Sequence, residues 1–236
     1  MTRRSPPPAP HPDTAEQPFW ISFSDLMTAL MVLFLVAMSV ALLAITHEIA
    51  QSEDRKAGRE EEIDAFMQDL SRIAADFPGV SVRGRVVDFG DRARFETDSH
   101  RLNPEQARLL REMTPQILKL AREPLGEKWL KRVVVEGFAD ARGGYLYNLH
   151  LSLQRAERLL CVLLSPEASA ALSAEDRLMV RDLFLVGGSS FNALKSNPEA
   201  SRRLELRLEF LELGERRAAS HDLPLEEAPR CPLDGR

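Results

Sequence analysis

VEGFADARGGYLYNLHLSLQRAERLL, residues 135–160, passes from one hydrophobic period to another. With the WLKRVV that precedes it, the first half reads as a buried strand that ends in a turn around Ala139 and Asp140. From Tyr147 onward the apolar residues recur at helical spacing, so YNLHLSLQRAERLLCVLLS is a helix. The same alternation of periods continues on both sides. VSVRGRVVDFG and RARFE read as strands, and NPEQARLLREMTPQILKLAR (103–122) opens with an Asn N-cap and a Pro at the first helical position. SAEDRLMVRDL reads as a shorter helix. RRLELRLEFLEL closes the pattern, with Leu204, Leu206, Leu208 and Phe210 alternating as in a strand with one buried face. Strand, helix, strand, helix, strand predicts one compact α/β domain over residues 80–213, followed by a loose tail over 214–236. No internal repeat is visible.

The N-terminal third is built differently. Residues 1–18 are polar and proline-rich, a composition expected to be disordered. Phe19 and Trp20 resemble an interfacial aromatic anchor. The run from Leu26 to Thr46 holds no Asp, Glu, Lys or Arg, and roughly 21 residues at 1.5 Å each match a bilayer core. It is too long for a typical signal-peptide core and no small-residue cleavage site follows, so 19–46 is expected to be a retained single crossing. Basic residues flank it on both sides (Arg3 and Arg4 before, Arg55, Lys56 and Arg59 after), so charge counting leaves orientation open. Residues 47–79 begin as a charged, Gly-interrupted linker. They end with Ile63, Phe66, Met67, Leu70 and Ile73 at helical spacing, a stripe that either packs on the following domain or pairs with a second copy.

A net charge of −5 gives no electrostatic support to nucleic-acid binding. The five histidines are scattered and no CxxC or HExxH spacing occurs, so neither a metal nor a cofactor is expected. VGGSSF (186–191) lacks both a nucleophile elbow and a phosphate-loop spacing, so the chain is not expected to be an enzyme. Cys161 and Cys231 lie far apart in sequence. In an oxidising compartment they can pair and tie the tail to the domain; otherwise they are two unrelated thiols.

Asp25 is the single charge in PFWISFSDLMTALMVLFLVAMSVALLAIT (18–46), and an ionised carboxylate there is costly. At 100° per residue Asp25, Thr28, Val32 and Ser39 share an arc of roughly 60°, with Leu, Met and Phe opposite. Such a polar seam suits a face turned toward a protein partner. An acid in that setting is suited to carry a proton when its access changes, with Thr28 and Ser39 as pore-lining support. The plainer reading is an interfacial Asp that helps begin the helix.

FWISFSDLMTALMVLFLV resembles the membrane helix of the MotB family, the B subunits of ion-driven stators, in which an aromatic-rich approach leads to an Asp and a Met-Thr-x-Met-type run. Within that family the phrase is most similar to the branch serving Zorya anti-phage defence. The resemblance places the family's ion-carrying Asp on Asp25.

The stretch from Gly137 is similar to the core motif of OmpA-like peptidoglycan-binding domains. There a strand ends in Gly-aromatic-Thr-Asp and a helix carries Asn-x-x-Leu-Ser-x-x-Arg-Ala. Here these read Gly137, Phe138, Ala139 and Asp140, then Asn148, Leu151, Ser152, Arg155 and Ala156, and SRRLELRL resembles the family's closing strand start. The resemblance implies a site for diaminopimelate, whose side chain offers an ammonium and a carboxylate. Asp140 would take the ammonium, Arg155 the carboxylate in a bidentate fork, and Asn148 would add amide hydrogen bonds. The plainer reading is a surface ion pair. Ala139 replaces the usual Thr and Phe138 the usual His or Tyr, so two polar atoms are lost beside the site.

The implied whole is an α/β protein with a single N-terminal transmembrane helix followed by an OmpA-like α/β sandwich of βαβαβ type. It would be a peptidoglycan-anchored subunit of a proton-driven motor, with two copies inside a ring of five MotA-like subunits. The resemblance also implies an inner-membrane location, a cytoplasmic N-terminus and a periplasmic domain, with the linker after His47 placed where the family carries a plug. A flagellar-type stator subunit and a motor-free envelope tether are the alternatives.

Overall fold

The computed structural model describes residues 17–166, 171–218 and 230–234. The proline-rich start up to residue 16, expected to be disordered, and residues 219–229 of the tail lie outside these. The chain divides into two units, Met1–Ala57 and Gly58–Arg236.

Helix α1 runs Gln17–Ala75. In the first unit its side chains from Phe23 onward are nearly all exposed, including Leu26, Leu33, Phe34 and Leu43, and the helix is long and apolar enough to cross a membrane. The expected linker after His47 is helical instead. Its residues are mostly Glu, Gln, Lys, Arg and Ala, all strong helix formers, and Gln51 stacks its bonds along one face, to the His47 ring at 2.9 Å and from Arg55 Nε at 3.1 Å. Gly58 costs such a helix about 1 kcal/mol relative to Ala, too little to break it.

The second unit begins at Gly58, earlier than the boundary at 80 expected from sequence. The reason is the apolar stripe. Ile63, Phe66, Met67 and Leu70 are buried in the domain's own core, and Phe66 meets Phe210 edge-to-face at 5.6 Å.

The domain contains β1 (Ser81–Arg83), β2 (Val86–Asp88), α2 (Pro104–Arg122), α3 (Pro124–Trp129), β3 (Leu130–Gly137), α4 (Tyr145–Leu164), α5 (Ala174–Leu183), β4 (Phe184–Gly188), α6 (Pro198–Ser201) and β5 (Leu204–Phe210). The sheet order is β1-β2-β5-β3-β4. The closing strand β5 lies in the middle, antiparallel to both β2 and β3, while β4 runs parallel to β3. Val133 pairs with Leu208 and Val135 with Leu206, so the alternating residues of both strands enter one core. Helix α2 starts in a capping box, in which the Asn103 side chain accepts from Gln106 N and the Gln106 side chain from Asn103 N, both at 2.8 Å.

RARFE does not form the expected strand. It becomes a 3-10 turn over Gly90–Ala93, then a single bridge between Arg94 and Arg203. Phe95 N donates to Arg202 O at 2.9 Å, after which the chain turns away through Asp98 at φ +53°. The tail is not wholly loose either. Cys231 is joined to Cys161 by a disulfide, and Asp234 pairs with Arg158 at 2.6 Å, so residues 230–234 lie on α4.

Candidate functional site

Two polar features stand out, one in each unit. In the first unit Asp25 is exposed and has no hydrogen-bond or ion-pair partner among the described residues. Thr28 Oγ1 donates to Ser24 O and Ser39 Oγ to Leu35 O, each at 2.8 Å, in the four-residue back-bond that hydroxyls make on helices. With their hydrogens committed to the helix, both hydroxyls present acceptor oxygen on the side that carries Asp25.

The site in the domain is built where β3 ends. A Cβ at Gly137 would lie 2.0 Å from the Ser152 carbonyl oxygen, so only glycine lets α4 approach the strand end this closely. That approach brings Asn148, Ser152 and Arg155 beneath the loop 138–144. Ser152 Oγ accepts from Ser190 N at 3.1 Å, Ser190 Oγ donates to Tyr145 O at 3.1 Å, and Ala139 N donates to Ser190 O at 2.8 Å. The Gly- and Ser-rich stretch after β4 thus backs the loop through hydrogen bonds.

Arg155 is fully buried. It donates from Nε to Ser99 O at 2.9 Å, from Nη1 to Phe138 O at 2.7 Å and from Nη2 to Glu96 O at 3.2 Å, with its guanidinium over the Phe95 ring. Its fork is closed on three backbone carbonyls, whereas the sequence expectation gave it to a ligand carboxylate. Burial, with the charge of Arg202 beside it, pushes the guanidinium down to about 10. Asn148 is likewise occupied, its amide donating to Arg142 O at 2.7 Å. Both residues shape the loops around Asp140.

Asp140 is the carboxylate at the centre. Its Oδ2 accepts from Arg202 Nη1 at 2.8 Å and from Arg142 Nη2 at 2.6 Å and Nε at 3.2 Å, while Oδ1 accepts from Arg142 N at 3.1 Å. Burial pushes the carboxyl up, but the hydrogen bonds from Arg142 and Arg202 outweigh it and hold the group at about 2. Arg202 is itself fixed by donating from Nε to Phe95 O at 2.9 Å. Phe138 is buried with the Arg203 guanidinium 4.0 Å above its ring, so the aromatic position is kept without a polar atom. Arg142 and Arg202 were missed as partners of Asp140. The double arginine that opens RRLELRL was the available signal, since Arg202 immediately precedes the bridged Arg203 and the strand.

The layout is one apolar helix, long enough to cross a membrane and carrying a single acid, followed by a sheet domain with a charged loop site. Residues 2–46 match the family described as membrane MotB of the proton-channel complex MotA/MotB. The chain is 42% identical over 210 residues to the Zorya protein ZorB of Escherichia coli O139:H28 (strain E24377A / ETEC), covering 87% of this chain and 85% of that one. It belongs to the ZorB family. Among solved structures, it is similar to the cell wall anchor of the T6SS from Pseudomonas aeruginosa (23% identity, TM-score 0.39, 59% of this chain and 96% of that one). It is also similar to the periplasmic domain of Helicobacter pylori MotB (16% identity, TM-score 0.39, 58% and 83%).

Proposed function

We propose that the chain is the peptidoglycan-gripping B subunit of a proton-driven inner-membrane motor that acts in anti-phage defence. The observation that carries this reading is the 42% identity to ZorB over 87% of the chain. The helix crosses the inner membrane once, with the N-terminus cytoplasmic and the domain periplasmic. The disulfide between Cys161 and Cys231 supports that placement, because such bonds persist in oxidising compartments. Asp25 carries the proton. Two copies of the chain lie inside a ring of five ZorA-like subunits, and each change of charge at Asp25 biases the partner helices between two arrangements.

The domain holds the motor to the wall. Asp140 takes the ammonium of a diaminopimelate side chain. Arg155 and Asn148 serve the grip as positioning residues, by fixing the carbonyls of the loops that frame Asp140.

The test is an Asp25→Asn variant, scored for phage protection in cells that make wild-type amounts of membrane-inserted protein. Asn keeps the size and hydrogen bonding of the side chain but cannot carry a proton. Loss of protection with normal assembly is the expected result. Full protection would leave a wall tether without a motor.

A further inference from the structure

We infer that the Arg142 side chain is a built-in occupant of Asp140 Oδ2, which a peptidoglycan ammonium displaces to engage that oxygen. This rests on the reading of Asp140 as the ammonium site. A carboxylate offers about four lone-pair positions, two on each oxygen, and the donors crowd one of them: Oδ2 accepts twice from the Arg142 side chain and once from Arg202, while Oδ1 accepts from the Arg142 backbone N. A ligand cation that engages Oδ2 must therefore take over the place of the Arg142 side chain.

The two arginines are not equally replaceable. The Arg202 side chain is 9% exposed and locked to the Phe95 carbonyl, so its removal would strand a buried charge. The Arg142 side chain is 58% exposed, and its pair with Asp140 is of the partly solvated kind that water screens. The chain just after Arg142 is open, with nothing near Gly144. The Arg142 side chain has somewhere to go. Its Nη2 already donates to Thr97 Oγ1 at 3.0 Å, and the carboxylates of Asp98 and Glu199 are near enough to attract it.

The bond from Asn148 to the Arg142 carbonyl holds the backbone of this residue while its side chain swings, so the loop keeps its shape. Displacement exchanges one charge-assisted hydrogen-bond set for another. The outcome is a grip weaker than the bare carboxylate would give, and one selective for ligands whose ammonium can compete with a guanidinium.

The experiment measures binding of a soluble muropeptide carrying meso-diaminopimelate to the full-length chain in detergent micelles, by calorimetry. Wild type is compared with Arg142→Ala, Arg142→Lys and Asp140→Asn, each checked for an unchanged circular dichroism spectrum. Arg142→Ala should bind about two- to five-fold more tightly than wild type, the size expected of a partly exposed ion pair. Arg142→Lys should fall between them, and Asp140→Asn should lose about tenfold or more. Equal or weaker binding by Arg142→Ala, with Asp140→Asn impaired, would overturn the inference and leave the Asp140 site standing. Equal binding by Asp140→Asn and wild type, or no binding by either wild type or Arg142→Ala, would overturn the site itself.

Discussion

Asp25 within α1 and Asp140 in the loop between β3 and α4 are both single carboxylates, and their surroundings are opposite. Asp25 has Leu, Met and Thr for neighbours and no cation partner among the described residues. Asp140 has Arg142 and Arg202 bonded to it and Arg155 close behind, and it is held at about 2. An acid pinned by fixed positive charge stays ionised throughout the physiological range, so it can recognise but cannot carry. The proposed role of Asp25 asks for an acid with no fixed counter-charge, and that is its setting among the described residues. The residue type is the same in both places, and the presence or absence of arginine decides what each can do.

The largest effect expected from breaking the charged region is at Arg155. Arg155→Met keeps the stem and removes the donors to Glu96, Ser99 and Phe138, leaving three carbonyls without their partner. A stability loss of about 3–5 kcal/mol is expected, as when one partner of a buried charged set is removed. It would be read as a fall in the urea midpoint by Trp129 fluorescence. A loss under about 1 kcal/mol would mean that water replaces the guanidinium, and that the site is open enough for a ligand to reach this residue. Cys231→Ser comes next. The bridge to Cys161 spans 70 residues of sequence, so its loss should cost about 2–4 kcal/mol, and a reductant should lower the wild-type midpoint equally.

The pH dependence of Asp140 is smaller. Its folded value of about 2 lies below the ordinary 3.8, so its contribution is complete above the ordinary value and is lost as pH falls toward 2. The difference in unfolding free energy between wild type and Asp140→Asn should shrink by about 2 kcal/mol between neutral pH and pH 2. A difference that stays flat with pH would show that the arginines do not hold the carboxylate, and the contrast with Asp25 would fail.

Period and capping residues made most of the domain legible. Asn103-Pro104 marked the start of α2, and the alternation from Leu204 to Phe210 marked β5. Strand β4 was not read because FLVGG is a five-residue apolar run ending in glycines, with no alternation to identify it. RARFE alternates like a strand, yet its neighbours are supplied by a turn and one bridge, which periodicity does not encode. The linker was misplaced because charge density was read as solvation, although Glu, Lys, Gln and Arg also favour helix. At the site, the motif pointed to Asp140, Asn148 and Arg155. Which of them faces outward depends on where Glu96, Ser99 and Phe138 turn their carbonyls, and that is tertiary information.

The smallest effect tests the uncharged side of the comparison. Thr28→Val preserves side-chain shape and removes the hydroxyl that donates to Ser24 O. The helix itself should be little affected, because that carbonyl keeps its backbone hydrogen bond and valine suits an apolar surrounding. What disappears is one acceptor oxygen a turn from Asp25, which the proposed proton path would use. A hydrogen bond of that kind is worth about 1 kcal/mol, so phage protection should fall by about several-fold in Thr28→Val and recover in Thr28→Ser. Unchanged protection in Thr28→Val would show that Asp25 works without its hydroxyl neighbour. The proton path would then be defined by partner subunits meeting a single carboxylate, and the difference between the two acids would rest on the absence of arginine alone.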